Sequence, residues 1–291
     1  MLHISVIIPA YKDWPRLKLC LEALAKQTYP ADKFEVIVVN NDQEESCPYE
    51  LPAANMKIIT EDKPGSYAAR NAGIKIANGE LLAFTDSDCI PDIDWIRNAL
   101  EVFTVEPALD RIAGKIETFR VKGTSDLIFK YQQLFSMNQE SYVQNLGSGI
   151  TANMFSRRYV FEKVGLFRED LYSGGDNEWG MRAFQKDCSI KYLDDVVVNH
   201  PSRKSFRELM RKKRRTTGGL YQLRFKHASF FTKSKILFRQ LLPPVSGIRK
   251  LERRDGLITN LILFSILWLN KLTGFTELFK LSFFGKKRRR S

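Results

Sequence analysis

Short apolar runs alternate with helical patterns along the first 200 residues. The segments "HISVIIPAY", "FEVIVVNND" and "MKIIT" predict three buried strands, the first ending at Pro9. Between them and after them, "WPRLKLCLEALAKQ" and "PGSYAARNAGIKIA" carry apolar residues at helical spacing. Because strands and helices alternate at the length of right-handed crossovers, the pattern predicts an α/β protein with a doubly wound, mostly parallel sheet and flanking helices.

The same alternation continues beyond these segments. "GELLAFTDSD" predicts a fourth strand, followed by a helix to about Phe103 and a strand over 112–119. A longer helix is expected over 127–142, and "GSGITANMFSRRYVFEKVGLF" predicts a loop or strand that leads into a short helix. The glycine-rich "SGGDNEWGMRAFQK" predicts a turn and a helix from about Glu178, and "SIKYLDDVVVNHP" predicts the last strand.

Charge separates the chain into two parts near Pro201. Residues 1–200 carry 22 Lys and Arg against 29 Asp and Glu, a net charge of −7, whereas residues 201–291 carry 24 against 4, a net charge of +20. We therefore predict a body over 1–200 and a basic, amphipathic helical extension over 201–291. An acidic body with a basic, apolar end indicates an enzyme attached to an anionic surface such as a membrane.

Polar side chains follow the predicted strands where each strand ends. Asp86 and Asp88 come directly after a buried run, and alternation points both carboxylates the same way. A hard cation such as Mg²⁺ or Mn²⁺ beside a diphosphate suits such a pair, although turns and caps explain many Asp-x-Asp sequences. No phosphate-binding or dinucleotide glycine motif and no zinc motif is present. The four scattered cysteines and the lack of a secretory leader predict reduced thiols in a cytosolic protein.

Five motifs in order resemble the family-2 inverting glycosyltransferases with the GT-A fold. They are "VIIPAYKD", "VIVVNND", "KPGSYAARNAGI", "FTDSDC" and "SGGDNEWGMR", and they cover roughly residues 1–200. The resemblance implies a GT-A catalytic domain there, with a nucleotide-sugar part over 1–91 and an acceptor and catalytic part over 92–200. It also implies a divalent metal cofactor, Mg²⁺ or Mn²⁺.

The resemblance assigns roles to individual residues of this chain. Asp176 would be the catalytic base, and Asp86 and Asp88 would bind the metal. Where the family usually has aspartates after the second strand, this chain has Asn40 and Asn41 before Asp42, which bears on the choice of nucleotide. The nucleotide sugar would contact Pro9, Ala10, Tyr11, Asp13, Asn41, Arg70, Asp86 and Ser87.

Other candidates follow from the residues themselves. Gly174 and Gly175 allow a tight turn before Asp176, whose carboxylate can accept a proton from an acceptor hydroxyl or can simply cap the next helix. His200 is either a third metal ligand or a structural histidine. Trp179 and Asn153 are candidate acceptor contacts, with core packing as the alternative for the tryptophan.

The basic end carries two further signals. "RKSFRELMRKKRRTTGGL" places Arg203, Arg207, Arg211 and Arg214 on one helical face, with Arg215 nearby, to bind phosphates or to remain solvated. "LITNLILFSILWLN" is apolar for about 13 residues, short of a membrane span, and Phe275, Phe279 and Phe283 recur at helical spacing before "KKRRR". We predict a membrane-interface helix over 257–284, with an ordinary core helix as the alternative.

Together these observations predict an enzyme. It would move a sugar from a nucleoside-diphosphate sugar, UDP-linked, to a hydroxyl of a saccharide or lipid-linked acceptor with inversion, in cell-surface polysaccharide or glycolipid synthesis. It would lie in the cytoplasm, bound peripherally to the inner face of an anionic membrane, with no nucleic-acid partner. The alternatives are a sugar nucleotidyltransferase, which should carry a glycine-rich basic loop after the first strand, and a basic nucleic-acid-binding protein.

Overall fold

A computed structural model describes residues 2–135, 137–171, 173–251 and 255–284. Backbone contacts divide the chain into two compact units. The sheet unit consists of Met1–Phe119, Met137–Asp170 and Gly175–Pro201, and the helical unit consists of Arg120–Ser136, Leu171–Gly174 and Ser202–Ser291. The main boundary follows Pro201, where the composition changes. Two internal segments also belong to the helical unit, which the composition did not indicate.

The sheet unit is built on one eight-stranded sheet with the order β3-β2-β1-β4-β7-β6-β8-β5 in the described part of the chain. Six of these strands were expected from apolar runs in the sequence, whereas the segment of β7 was predicted as a loop or strand and the two-residue β5 was not predicted. The strands are β1 Ile4–Ala10, β2 Phe34–Asn40, β3 Met56–Thr60, β4 Leu81–Thr85, β5 Ile90–Pro91, β6 Arg111–Phe119, β7 Asn153–Arg157 and β8 Ile190–Pro201.

Strands β3, β2, β1 and β4 are parallel, as the alternation with helices predicts. The sheet becomes mixed beyond β4, because β7 runs antiparallel to both β4 and β6, with Thr85 opposite Asn153. β6 and β8 are again parallel, and β5 pairs antiparallel with β8. The predicted α/β sheet with flanking helices is confirmed, with an antiparallel strand at its centre.

Helices alternate with the strands, and their buried positions follow the predicted periodicity. In the first of them, Leu17, Leu21 and Leu24 face the core at spacings of four and three residues. The expected helix over 127–142 is two helices, because Asn138 starts a new one by accepting a hydrogen bond from the backbone N–H of Ser141. The helices are α1 Trp14–Ala25, α2 Ser66–Ile76, α3 Trp95–Val105, α4 Asp126–Phe135, α5 Gln139–Leu146, α6 Arg158–Val164, α7 Gly175–Gln185, α8 Phe206–Leu220, α9 Phe230–Leu241 and α10 Leu257–Phe284.

The helical unit has its own small core. Leu209 and Met210 of α8 pack with Leu263 and Ile266 of α10, and Ile128 and Tyr131 of α4 join them. α8 begins at Ser205, whose hydroxyl accepts from the backbone N–H of Glu208. The unit therefore contains the predicted basic helix and an apolar helix packed along it.

Helix α10 is longer than the apolar run suggested. It continues unbroken for 28 residues, and an 18-residue window within it has a mean hydropathy of 1.4 with 17% of its residues buried. At about 1.5 Å per residue this is roughly 42 Å, long enough to cross a bilayer. The expectation that it is too short to span was wrong. The final "KKRRR" lies outside the described residues.

Candidate active site

The ends of the parallel strands place several predicted residues along one edge of the sheet. β1, β2 and β4 run in the same direction, so the segments that follow them, 11–13, 41–42 and 86–88, lie at their shared carboxyl edge. Such an edge is where ligands bind in open α/β sheets. Pro9 and Ala10 are the last residues of β1.

An open pocket of about 510 Å³ lies at the ends of β2 and β3. Asp42 is buried in its wall, and its Oδ2 has no hydrogen-bond partner among the described residues. Lys12 Nζ lies 3.9 Å from that oxygen, and Lys12 itself adopts a left-handed backbone conformation with φ of 52°. Asp42 is thus a carboxylate ready to accept a hydrogen bond. Besides Asp42, the lining residues are Asn40, Gln43, Glu44, Glu45, Ser46, Thr60 and Asp62.

The side chain of Asn41 is hydrogen-bonded to the loop that precedes α2. Its amide nitrogen donates to the carbonyls of Glu61 and Lys63 at 2.6 and 2.8 Å, and its oxygen accepts from the N–H of Gly65 at 2.7 Å. Asn41 therefore shapes the loop before α2. Its neighbour Asp42 is the buried acidic residue among those that line the pocket, and the family motif could have identified it if the alignment were shifted by one residue.

The loop after β1 is held by charged side chains. Tyr11 is exposed, and Asp13 binds Arg16 at 2.7 Å. Arg16 also reaches Asp88 Oδ2 at 3.5 Å, so one guanidinium lies beside acids from two segments of the edge. The sequence analysis did not single out Arg16. Ser87 lies half-buried between Asp86 and Asp88.

Asp86 faces helix α2. Its carboxylate pairs with the guanidinium of Arg70, which is buried on α2 and also donates to the Ser66 carbonyl at 3.3 Å. Arg70 additionally lies over the ring of Tyr67, 5.7 Å from its centroid. The pairing brings two predicted nucleotide-sugar residues together, and it holds Asp86 beside a cation that the protein itself supplies.

Asp88 and His200 lie together because β5 pairs with β8. Ile90 is opposite Asn199, so the residues just before β5 meet the end of β8. His200 Nε2 is 4.0 Å from Asp88 Oδ2, and ligand atoms of Asp88, Cys89 and His200 all lie within 4.8 Å of one another. His200 Nδ1 is 2.8 Å from the Pro201 carbonyl, which can only accept, so the neutral tautomer carries its lone pair on Nε2.

This donor set fits a divalent ion with oxygen and nitrogen ligands. A carboxylate and a neutral imidazole suit Mn²⁺ or Mg²⁺ with diphosphate oxygens as further ligands. Cys89 is fully buried, and burial together with Asp86 and Asp88 raises the pKa of its thiol well above the ordinary value. All four cysteines are free thiols.

Asp176 lies in the first turn of α7, at the bottom of a buried cluster. Its Oδ1 accepts from the hydroxyl of Tyr67 at 3.2 Å and from the backbone N–H of Asn177 at 2.9 Å. The Tyr67 hydroxyl also accepts from the N–H of Gly175 at 2.9 Å. A Cβ on Gly175 would lie 2.7 Å from the Tyr67 ring, so glycine is needed there, and Gly174 has a φ of 80°.

The surroundings of Asp176 set its acidity. Burial raises the pKa of its carboxyl above the ordinary value, against the hydrogen bonds from Asn177 and Tyr67 and the charge of Arg70, which lower it. The nearby charge of Asp86 acts in the same direction as burial. A buried carboxylate with a raised pKa is a suitable proton acceptor. The helix begins at Gly175, three residues earlier than predicted.

Tyr67 was missed by the sequence analysis, although a signal was available. It precedes Arg70 by three residues on α2, so both side chains lie on the same helical face. Through this face α2 contacts Asp86 and Asp176 at once. One helix therefore contacts both the carboxylate predicted to bind the donor, Asp86, and the carboxylate predicted to be the catalytic base, Asp176.

Two predicted acceptor contacts are core residues. Trp179 is fully buried, stacks on Phe161 with centroids 4.2 Å apart, and donates to the Gly165 carbonyl. Asn153 is also fully buried, accepts from the indole N–H of Trp95 and donates to two backbone carbonyls. Neither side chain presents a surface to an acceptor, so both acceptor predictions are withdrawn.

Comparison with known proteins agrees with this geometry. Glycosyltransferase AglE of Haloferax volcanii is 35% identical over 227 residues, 76% of this chain and 73% of that protein. The UDP-Glc:alpha-D-GlcNAc-diphosphoundecaprenol beta-1,3-glucosyltransferase WfgD of Escherichia coli is 24% identical over 58% of this chain and 67% of its own length. The mannosyltransferase PcManGT of Pyrobaculum calidifontis, solved with GDP-Man and Mn²⁺, superposes with a TM-score of 0.66 at 15% identity, covering 98% of this chain and 88% of that one.

The sequence profile of glycosyl transferase family 2 matches residues 5–165. That span includes β1 to β4, the strand-end acids and the buried face of α2, and the fold is the GT-A fold of the structural neighbour. The sugar nucleotidyltransferase alternative is set aside by this match. The chain belongs to glycosyl transferase family 2, and it is a glycosyltransferase of glycoconjugate synthesis.

Proposed function

We propose that the enzyme moves a sugar from a nucleoside-diphosphate sugar to an acceptor hydroxyl with inversion at the anomeric carbon. The observation that carries the proposal is the double contact of α2. Arg70 holds Asp86 on the donor side, and Tyr67, one turn earlier, holds Asp176. The helix thereby fixes the position of the donor-side carboxylate relative to the buried proton acceptor. A direct displacement, in which the acceptor hydroxyl attacks the donor in one step, requires such fixed positions.

Asp42 supports a donor whose base offers a ring N–H group. A carboxylate oxygen can accept from uracil N3–H or from the guanine edge, whereas the ring nitrogens of adenine and cytosine at the matching positions are acceptors. Following the family resemblance, we propose a UDP-linked donor with its base in the pocket beside Asp42. Tyr11 and Asp13, on the neighbouring loop, would contact the nucleotide from the other side.

Asp88 and His200 would hold the divalent ion. Bound there, Mn²⁺ or Mg²⁺ supplies positive charge that stabilises the leaving diphosphate without a proton transfer. His200 takes its orientation from the hydrogen bond to Pro201, and Asp88 from the segment between β4 and β5. Arg70 beside Asp86 adds a protein cation at the same edge of the sheet.

Asp176 acts as the general base in this proposal. Its carboxylate takes the proton of the acceptor hydroxyl as that oxygen forms a bond to the anomeric carbon. The bond from the anomeric carbon to the diphosphate oxygen breaks, and its electron pair leaves with the diphosphate. Tyr67 is a positioning residue, since its hydroxyl fixes the rotamer of Asp176 without touching the substrate.

The acceptor is proposed to be lipid-linked, with the enzyme on the inner face of the membrane. WfgD, a relative, is named for a diphosphoundecaprenol acceptor. Although α10 is long enough to span, it packs along α8, where Gly274 approaches Lys213 and Thr273 donates to Met210. A spanning α10 would bring α8, with its exposed arginines, into hydrocarbon at about 2.5 kcal/mol or more for each charge. This packing supports peripheral binding over 257–284, stabilised by anionic lipid.

The test is a screen of the full-length enzyme for hydrolysis of nucleotide sugars in Mn²⁺, in Mg²⁺ and in EDTA. We expect uridine donors to be hydrolysed in the presence of metal, and hydrolysis to stop in EDTA. Full activity in EDTA would contradict the metal assignment. A preference for adenosine or cytidine donors would contradict the role of Asp42.

A further inference from the structure

Helix α9 is anomalous for a helix of a folded unit, because none of its residues is buried. Phe230, Phe231 and Phe238 are 79, 85 and 62% exposed. A twelve-residue helix is marginal in water unless one of its faces packs against something, and exposed aromatic rings are unfavourable there. The helix contacts α10, and the side that carries the phenylalanine rings is left exposed in the described part of the chain.

The arrangement of apolar and basic side chains along α9 indicates which kind of partner would cover this side. Phe231 and Phe238 are seven residues apart and share one exposed face, and the exposed ring of Phe230 lies at its edge, 6.1 Å from the ring of Phe231. Exposed Lys235 and Arg239 border the same face. An apolar face with cations at its edge is the pattern of helices that lie in a membrane interface, where rings enter the acyl boundary and cations remain at the headgroups.

The charge of the surrounding segment selects an anionic surface. Residues 209–251 contain twelve Lys and Arg and not one Asp or Glu. Each cation near an anionic bilayer adds about 1 kcal/mol of attraction. The phosphates of a nucleic acid would satisfy the charges, but they would not cover the exposed rings of Phe231 and Phe238.

We infer that α9 is a second lipid-binding element, separate from α10, which inserts the rings of Phe230, Phe231 and Phe238 into an anionic bilayer. The inference builds on the proposed interfacial location. The carboxyl end of α9 is fixed to the middle of α10, because the Trp268 indole donates to the Leu241 carbonyl at 3.0 Å and Lys271 donates to the Leu242 carbonyl at 2.7 Å. A bilayer that covers exposed Trp268 therefore lies next to the end of α9.

The first test measures binding of the full-length enzyme to vesicles of phosphatidylcholine with and without phosphatidylglycerol. The double substitution Phe230→Ser/Phe231→Ser should weaken binding to the anionic vesicles by about tenfold or more, because two rings no longer enter the interface. Phe184→Ser is the matched control, since Phe184 is 60% exposed on α7 in the sheet unit and should not matter. Lys235→Glu/Arg239→Glu should also weaken binding, and only to anionic vesicles.

Donor hydrolysis is measured on the same preparations. If hydrolysis persists while the phenylalanine substitutions leave vesicle binding unchanged, the inference about α9 is wrong and the proposed activity stands. If hydrolysis is absent in the unaltered enzyme as well, the proposed activity has failed and the binding result is still interpretable. Self-association of the enzyme that the same substitutions abolish, without vesicles, would assign the face to a second copy of the chain and overturn the inference.

A depth measurement provides a second, independent arm. Three of the four tryptophans, Trp14, Trp95 and Trp179, are buried, so Trp268→Phe removes the exposed one. Phe231→Trp in that background places a single exposed indole on α9. Phospholipids with brominated acyl chains should quench it when anionic vesicles are added. Vesicle binding without quenching would show that α9 stays in water and would overturn the inference.

Discussion

The sheet unit and the helical unit use apolar residues in opposite ways. In the sheet unit, β4 is buried at every position, and apolar side chains stabilise the fold by packing against each other. In the helical unit, α9 has no buried residue and only 17% of the apolar window of α10 is buried. The difference shows that hydrophobic pattern alone does not tell what a segment packs against. The net charge separates the two cases here, because residues 1–200 carry a net charge of −7 and residues 201–291 carry a net charge of +20.

The comparison indicates that the sheet unit carries the catalytic residues and that the helical unit carries the surfaces for membrane binding. The strand-end acids and Asp176 all belong to the sheet unit, and the exposed phenylalanines of α9 and α10 belong to the helical unit. Substitutions should therefore fall into two classes. Those in the sheet unit should change transfer on any acceptor, and those on the exposed helical faces should change membrane binding with little effect on stability.

The largest effect is expected at Asp176. Asp176→Asn keeps the shape of the side chain but removes the proton acceptor, so transfer should fall by about 10² to 10⁴-fold while donor affinity stays the same. Single-turnover transfer and donor binding by calorimetry measure the two quantities. Glu178→Gln, two positions further along the same helix turn, is the control and should stay near the unaltered rate. Equal losses of donor binding and transfer would instead indicate that Asp176 is a helix cap.

The next effect separates buried from exposed positions on a single helix. Leu263 of α10 is fully buried in the helical core, so Leu263→Ala should lower the free energy of unfolding by about 2 to 5 kcal/mol. Leu261, two residues earlier, is 56% exposed, and Leu261→Ser should change it by less than about 0.5 kcal/mol. Denaturant unfolding measures both. Similar losses for the two variants would mean that the exposed face is part of a core.

Metal binding gives an intermediate effect. Asp88→Asn or His200→Ala should weaken Mn²⁺ binding in the presence of a nucleoside diphosphate by about tenfold or more, since each removes a ligand. Electron paramagnetic resonance of free Mn²⁺ measures this directly. Cys89→Ser is the matched control, because Mn²⁺ and Mg²⁺ prefer oxygen and nitrogen ligands to a buried sulfur. A large loss in Cys89→Ser and none in His200→Ala would reverse the assignment.

The smallest effect is a shift in pH dependence. The Tyr67 hydrogen bond lowers the pKa of Asp176, so Tyr67→Phe should raise it. The base works when deprotonated, so activity is lost as pH falls through this pKa, and the acid limb of kcat/KM should move to higher pH with roughly a few-fold loss at neutral pH. Arg70, Asp86 and Tyr142 also act on this site and are unchanged. Tyr131→Phe, in the helical core, is the control for a buried hydroxyl.

Much of the sheet could be predicted because it depends on local patterns. The four parallel strands and the acids at their ends follow from apolar runs and strand alternation, both short-range signals. The antiparallel insertion of β7 could not be read this way, because the pairing of Thr85 with Asn153 joins segments far apart in the chain. Likewise, Tyr67 and Asp176 are 109 residues apart, and only the fold shows that they touch.

The errors have physical causes as well. Trp179 lies three residues after the proposed base in sequence, but its side chain points into the core, where it packs against Phe161 and Phe167. Helix α10 has the bounds predicted for it, 257–284, but its apolar run of about 13 residues led to the wrong expectation that it is too short to span a membrane. Within the helical unit Lys271 caps the end of α9, and Gly274 is buried and gives room to Lys213, so the helix continues.

The most direct test of the separate roles of the two units compares two transfer rates. The first is the rate on a membrane-embedded, lipid-linked acceptor, the second is the rate on its short-chain, water-soluble analogue, and the measured quantity is their ratio. Phe230→Ser/Phe231→Ser should lower this ratio by about tenfold with an unchanged rate on the soluble analogue, because only the meeting with the membrane is affected. Asp176→Asn should lower both rates together and leave the ratio unchanged. A phenylalanine variant that loses both rates equally, or an Asp176→Asn enzyme that keeps its rate on the soluble acceptor, would contradict the account.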